Sequence, residues 1–318
     1  MNNIRLQILI NHYHEPSDLI GRLLRSIADQ SVKSDFKVII ASYGTDHQLD
    51  HAFLETFPFN IRYSVLPHRG TQATHNALLD MATADYVMFC DADDCFKGAD
   101  GISRLLDAAK SEPDVVSVPF YAENKDGALI RIPTNTIWVH GKIFRRAYLL
   151  ENQIRFDDIS AHGEMSFLWL AFHLTDNIRY LGERFYVWKW NEESTTRKRD
   201  YYGVYMYDKR MMSADILSKD LIRRERADLY HDFLVGIVIS AYIDSKSERW
   251  GNAPPEYVEK AKRAIAEFLR RYRSDYERID KNFRRNRYNA FLTTKRTYGP
   301  SEGFDGIAEW MDDLCATF

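Results

Sequence analysis

The stretch Tyr86-Val87-Met88-Phe89-Cys90-Asp91-Ala92-Asp93-Asp94 decides how the rest of the chain is read. Its five leading residues form a short apolar run of the length and composition of a buried strand. Three carboxylates within four residues follow at once, and at that spacing they repel one another. A solvated surface turn tolerates such a cluster. Placed at the end of a buried strand, it calls instead for a compensating cation. Hard divalent ions such as Mg²⁺ or Mn²⁺ take carboxylate oxygens and keep positions open for phosphate.

Working outward, the first half of the chain alternates extended and helical patterns. Leu6–Ile10 reads as a strand, and Leu19, Ile20, Leu23, Leu24 and Ile27 then recur at helical spacing, with Pro16 acceptable near that helix's start. Val38–Ala41 predicts a second strand ending in the turn-like Ser42-Tyr43-Gly44, and Ile61–Leu66 a third. Ala73, Ala77, Leu78 and Met81 mark another helix before Tyr86. This order predicts an α/β fold, a mostly parallel sheet flanked by helices. In such sheets ligands bind beyond the carboxyl ends of the strands, so the loops after Ile10, Ala41 and Cys90 are where chemistry is expected. Beyond residue 200 the patterns at 201–220, 229–242 and 256–276 are helical, with Ala253-Pro254-Pro255 separating two of them. The chain thus divides into a catalytic domain over residues 1–199 and a helical C-terminal region over residues 200–318.

Bulk properties narrow the setting. At 318 residues, 45% apolar and 28% charged, the chain is an ordinary globular protein and not a disordered one. No run approaches the roughly 18 apolar residues of a membrane span. The cysteines Cys90, Cys95 and Cys315 show no paired spacing, which speaks against a disulfide framework and for a cytoplasmic location. The net charge of -3 hides a segregation: residues 261–300 hold 12 Lys/Arg and four Asp/Glu. Within them Phe283-Arg284-Arg285-Asn286-Arg287-Tyr288 interleaves aromatics with guanidinium groups. Arg284, Arg285 and Arg287 are candidate anion or acceptor ligands, since that mixture suits phosphate contact and base stacking. A solvated helix face laced with local salt bridges is the competing reading.

Taken together, the motifs resemble the family-2 glycosyltransferases of the GT-A fold over roughly residues 4–197. The resemblance rests on an ordered series. It starts with the strand and Tyr-containing loop Leu6–Tyr13 and the helix Leu23–Ser31, and continues with the turn Gly44-Thr45-Asp46 and the loop and helix Gly70–Asn76. The acidic segment Ala84–Asp94 and His140-Gly141-Lys142-Ile143-Phe144-Arg145-Arg146 complete it. It implies a metal-dependent inverting transferase using Mn²⁺ or Mg²⁺ and a nucleotide-sugar donor, with a UDP-sugar the default. By position, Asp91 would contact the ribose or sugar and share the metal, Asp93 would hold the metal, and Asp94 would support the site or bind the donor sugar. Tyr13, Tyr43, Asn76 and His140 would line the donor site. Glu193-Ser194-Thr195-Thr196-Arg197 is similar to the end of the family's catalytic domain, where Arg197, with Lys198, would meet the diphosphate.

The family's inverting members place a carboxylate at a helix start on the acceptor side, where it deprotonates the acceptor hydroxyl. Here Gly163-Glu164 occupies the usual Glu-Asp pair, giving Glu164 as the base, with Asp157 and Asp158 as competitors and a dipole-favoured helix acid as the plain alternative. Two departures stand out. Ser42-Tyr43 replaces the paired acids that read the base, leaving Tyr43 to stack or donate. His75 replaces an Arg, and a buried structural histidine is the preferred reading there. His12, His14, His68 and His140 lie in site loops without zinc-helix spacing, and His140 is the best placed to face the site. The acceptor stays open between a modified base in DNA, as for phage enzymes of this kind, and a cell-surface polysaccharide, teichoic acid or protein. A nucleotidyltransferase would carry a Gly-rich basic loop where Asn11–Glu15 stands. An inactive GT-A binding module remains the non-enzymatic alternative.

Overall fold

A computed structural model describes residues 5–44, 48–159, 162–194, 196–295 and 300–318. Thr45, Asp46 and Thr195, named above, lie outside the described residues. The chain forms two compact units, Met1–Glu192 and Glu193–Phe318.

In the first unit the strands are β1 (Leu6–His12), β2 (Phe36–Tyr43), β3 (Ile61–Leu66), β4 (Tyr86–Asp91), β5 (Cys95–Phe96), β6 (Val115–Ser117), β7 (Phe120–Glu123), β8 (Leu129–Ile132), β9 (Lys142–Arg145), β10 (Ile178–Tyr180) and β11 (Tyr186–Trp188). Seven of them build one sheet in the order β10-β6-β9-β4-β1-β2-β3. β1 lies between β2 and β4, parallel to both, with Ile10 opposite Ile40 and Cys90. It is buried along its whole length, as a central strand covered on both faces is, and Leu6–Ile10 is apolar but for Gln7, whose side-chain oxygen accepts from the Thr83 and Ala84 N–H groups. β9 enters antiparallel between β4 and β6. The parallel connections run through helices such as Ser17–Ala28 and Thr71–Met81. The first buries Ile20, Leu23, Leu24 and Ile27 on one face, the helical stripe that the sequence carries.

Register places the chemistry. Asn11 of β1 sits opposite Asp91 of β4, and His12 opposite Ser42 of β2, so the carboxyl ends of three adjacent strands deliver Asn11, Ser42, Tyr43 and Asp91 to one edge. A second sheet, β5-β11-β7-β8, mixes antiparallel and parallel pairing. Through β5 and β11 it presents Tyr186, Trp188 and the residues after them.

Among the described residues the second unit contains helices and no strand. Its helix Ala227–Ser245 buries ten residues, Tyr230 through Tyr242, and is apolar on nearly every side, as an internal helix is. The helix Pro255–Arg278 is amphipathic instead, burying Ala261, Ile265, Leu269, Tyr272 and Tyr276, and proline at its first position costs no hydrogen bond. Inside this unit Arg210 donates to Asp244 (2.6 Å) and Ser240 (2.6 Å), and Tyr207 also donates to Asp244 (3.0 Å).

Candidate active site

The acidic cluster forms at the last residue of β4. Asp94 N–H donates to the Asp91 carbonyl at 3.2 Å, closing a turn that carries Asp91 and Asp94 to the same side. Asp94 is completely buried. Its two oxygens accept from the Tyr186 hydroxyl (2.6 Å) and the Lys189 N–H (2.9 Å). Burial first, then the charges of Asp91 and Asp93, hold its pKa well above the ordinary carboxylate value, against the relief that those two donors give. Asp91 is likewise pushed well up, by burial and then by Asp93, Glu164 and Glu15. Several negative groups thus meet here, and among the described residues no lysine or arginine forms an ion pair with Asp91, Asp93 or Asp94, although the Arg22 guanidinium reaches the Asp93 carbonyl.

His140 stands beside the cluster. Its ring stacks between Tyr186 (centroids 5.6 Å apart) and Trp188 (5.8 Å), and Nδ1 faces Asp94 at 3.7 Å, too far for a hydrogen bond. That buried Nδ1 has no hydrogen-bond partner among the described residues, and burial drives the histidine down to about 3, so it is neutral. Among the described residues, Asp91, Asp94 and His140 can each bring one ligand atom within 4.8 Å of the others. Asp93 stands apart from that inner set. It is half-exposed, its Oδ2 accepts from the Asn191 amide (2.7 Å), and its carbonyl accepts from Arg22. Its Oδ1 takes no hydrogen bond among the described residues. The crowded carboxylate oxygens fit a hard divalent cation, which would relieve their repulsion, and the neutral His140 ring borders the set.

Glu164 opens the helix Glu164–His173. Burial raises its pKa to about 7, in spite of the Val139 N–H that it accepts and the nearby Lys142 ammonium. Its charge acts on Asp91, so both carboxylates belong to one electrostatic site. Gly163 before it has a steric reason: an added Cβ would lie 2.5 Å from the Asp157 carbonyl oxygen and 2.7 Å from Gln72 Cγ. The competing acids are placed differently. Asp157 accepts from the Ser166 hydroxyl at 2.6 Å and thereby ties down the helix's first turn. Asp158 is exposed.

At the β1–β2 edge, Tyr43 is buried and stacks on Tyr13 (4.8 Å, 15°), with His68 against both rings. The Tyr43 hydroxyl is hydrogen-bonded to Thr71 Oγ1 (2.8 Å), and burial pushes its pKa up to about 12. Ser42, in the place of an acid, meets His12 Nδ1 (2.7 Å) and the Tyr63 hydroxyl (3.1 Å). His12 is held through its other nitrogen by the Glu15 carbonyl (2.8 Å). Buried His75 packs on Phe89 and Phe156 and is neutral, lowered to about 3 by burial. The Asn11 amide lies within 3.3 Å of both His75 Nε2 and Asp91 Oδ1.

The other expected residues make the following contacts. Asn76, expected against the donor, spends both ends of its amide on the Phe156 backbone (2.9 and 3.0 Å) and so pins the loop leading to Asp157. A primary amide so engaged has little left for a ligand. Arg197 lies in the second unit, where its N–H donates to the Ser194 carbonyl (2.9 Å). Arg284, Arg285 and Arg287 are claimed internally. Arg284 lies over the Tyr276 ring (4.8 Å), Arg285 pairs with Asp305 (3.0 Å), and Arg287 with Asp232 (2.7 Å). The local balance of +8 is therefore partly neutralised by acids distant in sequence. Tyr186, Asn191 and Arg22 hold the acidic turn and were not singled out by sequence. They come from a strand and loop about a hundred residues on and from the first helix, and nothing local marks them.

Residues 7–170, just over half of the chain, match the pattern of glycosyl transferase family 2. The chain belongs to that family. It is a glycosyltransferase, and its two sheets and helices are those of the GT-A fold. A curated relative, the succinoglycan biosynthesis protein ExoM of Rhizobium meliloti (strain 1021), is 28% identical over 113 residues, which cover 34% of this chain and 36% of ExoM. The match thus spans about a third of that relative's length. Among solved structures, S. aureus TarS 1-349 in complex with UDP-GlcNAc superposes with a TM-score of 0.64 at 17% identity, covering 92% of this chain and 93% of that one. The same TarS fragment with UDP gives 0.64 at 16% identity, over 98% and 89% of the two chains. At such identities the likeness concerns the fold. No helix among the described residues is long and apolar enough to cross a membrane.

Proposed function

We propose that this glycosyltransferase moves a sugar from a nucleoside diphosphate donor, a UDP-sugar by default, to a hydroxyl of a glycan acceptor with inversion. The carrying observation is the crowded set Asp91, Asp93 and Asp94 beside the orphaned His140 Nδ1, with Glu164 in the same electrostatic field. Asp91 and Asp93 would hold a Mn²⁺ or Mg²⁺ ion. Both are partly buried, neither fully, and Asp93 keeps an oxygen open, whereas both Asp94 oxygens already accept hydrogen bonds. His140 and Asp94 then form the inner wall. When bound, such an ion neutralises the diphosphate as it leaves.

The residues supply the rest. Tyr13, stacked on Tyr43 with His68 at its edge, offers an aromatic face to the donor's base. Glu164, with a pKa near 7, is poised to accept the acceptor's proton at neutral pH. A glycan acceptor is favoured over DNA because Arg285 and Arg287 are paired with internal acids and Arg284 is stacked on Tyr276. The succinoglycan biosynthesis of the relative ExoM points the same way. A thermal-shift series with UDP-GlcNAc and Mn²⁺, followed by mass spectrometry of glycan and DNA acceptors, tests the reading. Stabilisation that requires both ligands supports it. Stabilisation by neither, or sugar transfer to DNA alone, would count against it.

A further inference from the structure

Among the described residues Lys142 is the one charged residue of the largest fully buried side chains, and it opens β9 with no solvent exposure at all. Its Nζ donates backward to the Trp138 carbonyl (2.6 Å) and also lies within 3.3 Å of the His140 carbonyl. Gly141 between them adopts φ 65°, a conformation glycine reaches without strain, and it lets the chain fold so that residue 142 points back along its own path. The Val139 N–H inside this loop is directed at the Glu164 carboxylate and favours its charged form. One three-residue segment is therefore held at its two outer carbonyls by a buried ammonium and at its middle amide by the candidate base. The same segment ends in His140, whose ring faces Asp94.

A buried ammonium is costly, and an apolar side chain of similar volume is often as good for stability or better. An ammonium here, held on two backbone carbonyls, can do what methionine could not. We propose that Lys142 is a positioning residue for sugar transfer: it locks residues 138–140 so that Val139 N–H orients Glu164 and His140 stays against the acidic cluster. The proposal rests on the reading of Glu164 as the base. Lys142 touches no reactant; it acts through Val139 and His140.

The test uses Lys142→Met and Glu164→Gln in the full chain, with two readouts. Amide hydrogen exchange in the peptide spanning residues 134–145 needs no substrate. The proposal expects Lys142→Met to speed exchange at Val139 while the melting temperature stays at or above wild type. UDP release from UDP-GlcNAc with Mn²⁺ is expected to fall in kcat on the order of 100-fold, the scale of a misplaced catalytic group, with donor KM little changed. The double variant is expected to be no slower than Glu164→Gln alone, since residues acting as one unit are not additive. Unchanged exchange at Val139, or additive losses in the double variant, overturns the proposal. Wild-type turnover in Glu164→Gln would sink the base reading. A loss in Glu164→Gln with full turnover in Lys142→Met would sink the Lys142 proposal alone. If Lys142→Met does not fold, Lys142→Gln carries both readouts: it keeps a neutral N–H donor, and partial protection at Val139 with partial activity is expected. Wild-type values of both overturn the proposal.

Discussion

Two regions concentrate charge, and the fold treats them in opposite ways. At the carboxyl end of β4, Asp91, Asp93 and Asp94 converge with Glu164, and among the described residues no lysine or arginine forms an ion pair with the three aspartates; burial and then mutual repulsion raise the pKa values of Asp91 and Asp94, and burial raises that of Glu164 against the pull of Lys142. On the helix Lys281–Lys295, a run of arginines that looks like an anion site meets Asp305, Asp232 and the Tyr276 ring. Charge density in a sequence is thus an ambiguous sign. A cluster becomes a site where the fold withholds the counter-charge. Where acids from elsewhere in the chain provide it, the cluster is a solvated, salt-bridged face.

The contrast can be broken or sharpened experimentally. The largest expected effect is at the base: Glu164→Gln should lower kcat by about 10²–10⁴-fold with donor affinity nearly intact, measured as steady-state UDP release. Retained turnover would return the role to another acid. Asp93→Asn should follow, losing most Mn²⁺-dependent activity on the order of 10²-fold or more, as removal of a group stabilising transition-state charge does. His140→Ala should cost less, because its nitrogen lines the inner wall. The reverse ranking would move the ion inward, to Asp91, Asp94 and His140.

A pH effect comes next. A base raised to about 7 is protonated below that pH, so the rate should fall about tenfold per unit on the acid side of pH 7. Glu164→Gln should remove that limb, and a rate flat down to pH 5 would contradict the assignment. Stability should move in a related window. His75 is held neutral with its pKa lowered to about 3, so below its unfolded value near 6.5 the unfolded chain takes up a proton that the folded one refuses. Stability therefore falls with decreasing pH between about 6.5 and 3, by up to roughly 1.4 kcal/mol per unit from this group. A denaturation series comparing wild type with His75→Phe should show a shallower acid slope in the variant. The smallest effect belongs to the basic helix. Neutralising Arg285 and Arg287 together should change stability by about 0–1 kcal/mol per pair and leave turnover alone. A steep, salt-dependent loss of DNA binding in that variant would instead revive a nucleic-acid acceptor.

Much of this was legible because the informative signals were local. The apolar run Tyr86–Cys90 and its acids, the amphipathic helix after Pro16 and the helical periodicity past residue 200 are visible in short windows. The family-like order of motifs supplied the reaction class. Less legible was anything made by distant segments. The second sheet is built from strands of two to four residues, too short for a period-2 pattern to show. Asn76 looked like a ligand because of its place in a motif, yet its amide is complementary to the Phe156 backbone, a pairing no local pattern announces. The pairing of Arg285 with Asp305 and of Arg287 with Asp232 is equally invisible in a local window. Glu164 itself is a single acid at a helix start. Its electrostatic coupling to Lys142 and Asp91 comes from distant segments and shows in no local window.

Manganese binding tests the central claim most directly, because Asp91 belongs to every arrangement of ligands at the uncompensated cluster. Titration of the wild-type protein with Mn²⁺, followed by the metal's paramagnetic signal with UDP-GlcNAc present, should show a saturable site that Asp91→Asn abolishes and that the Arg285 and Arg287 substitutions leave untouched. Equal Mn²⁺ affinity in wild type and Asp91→Asn would contradict the account.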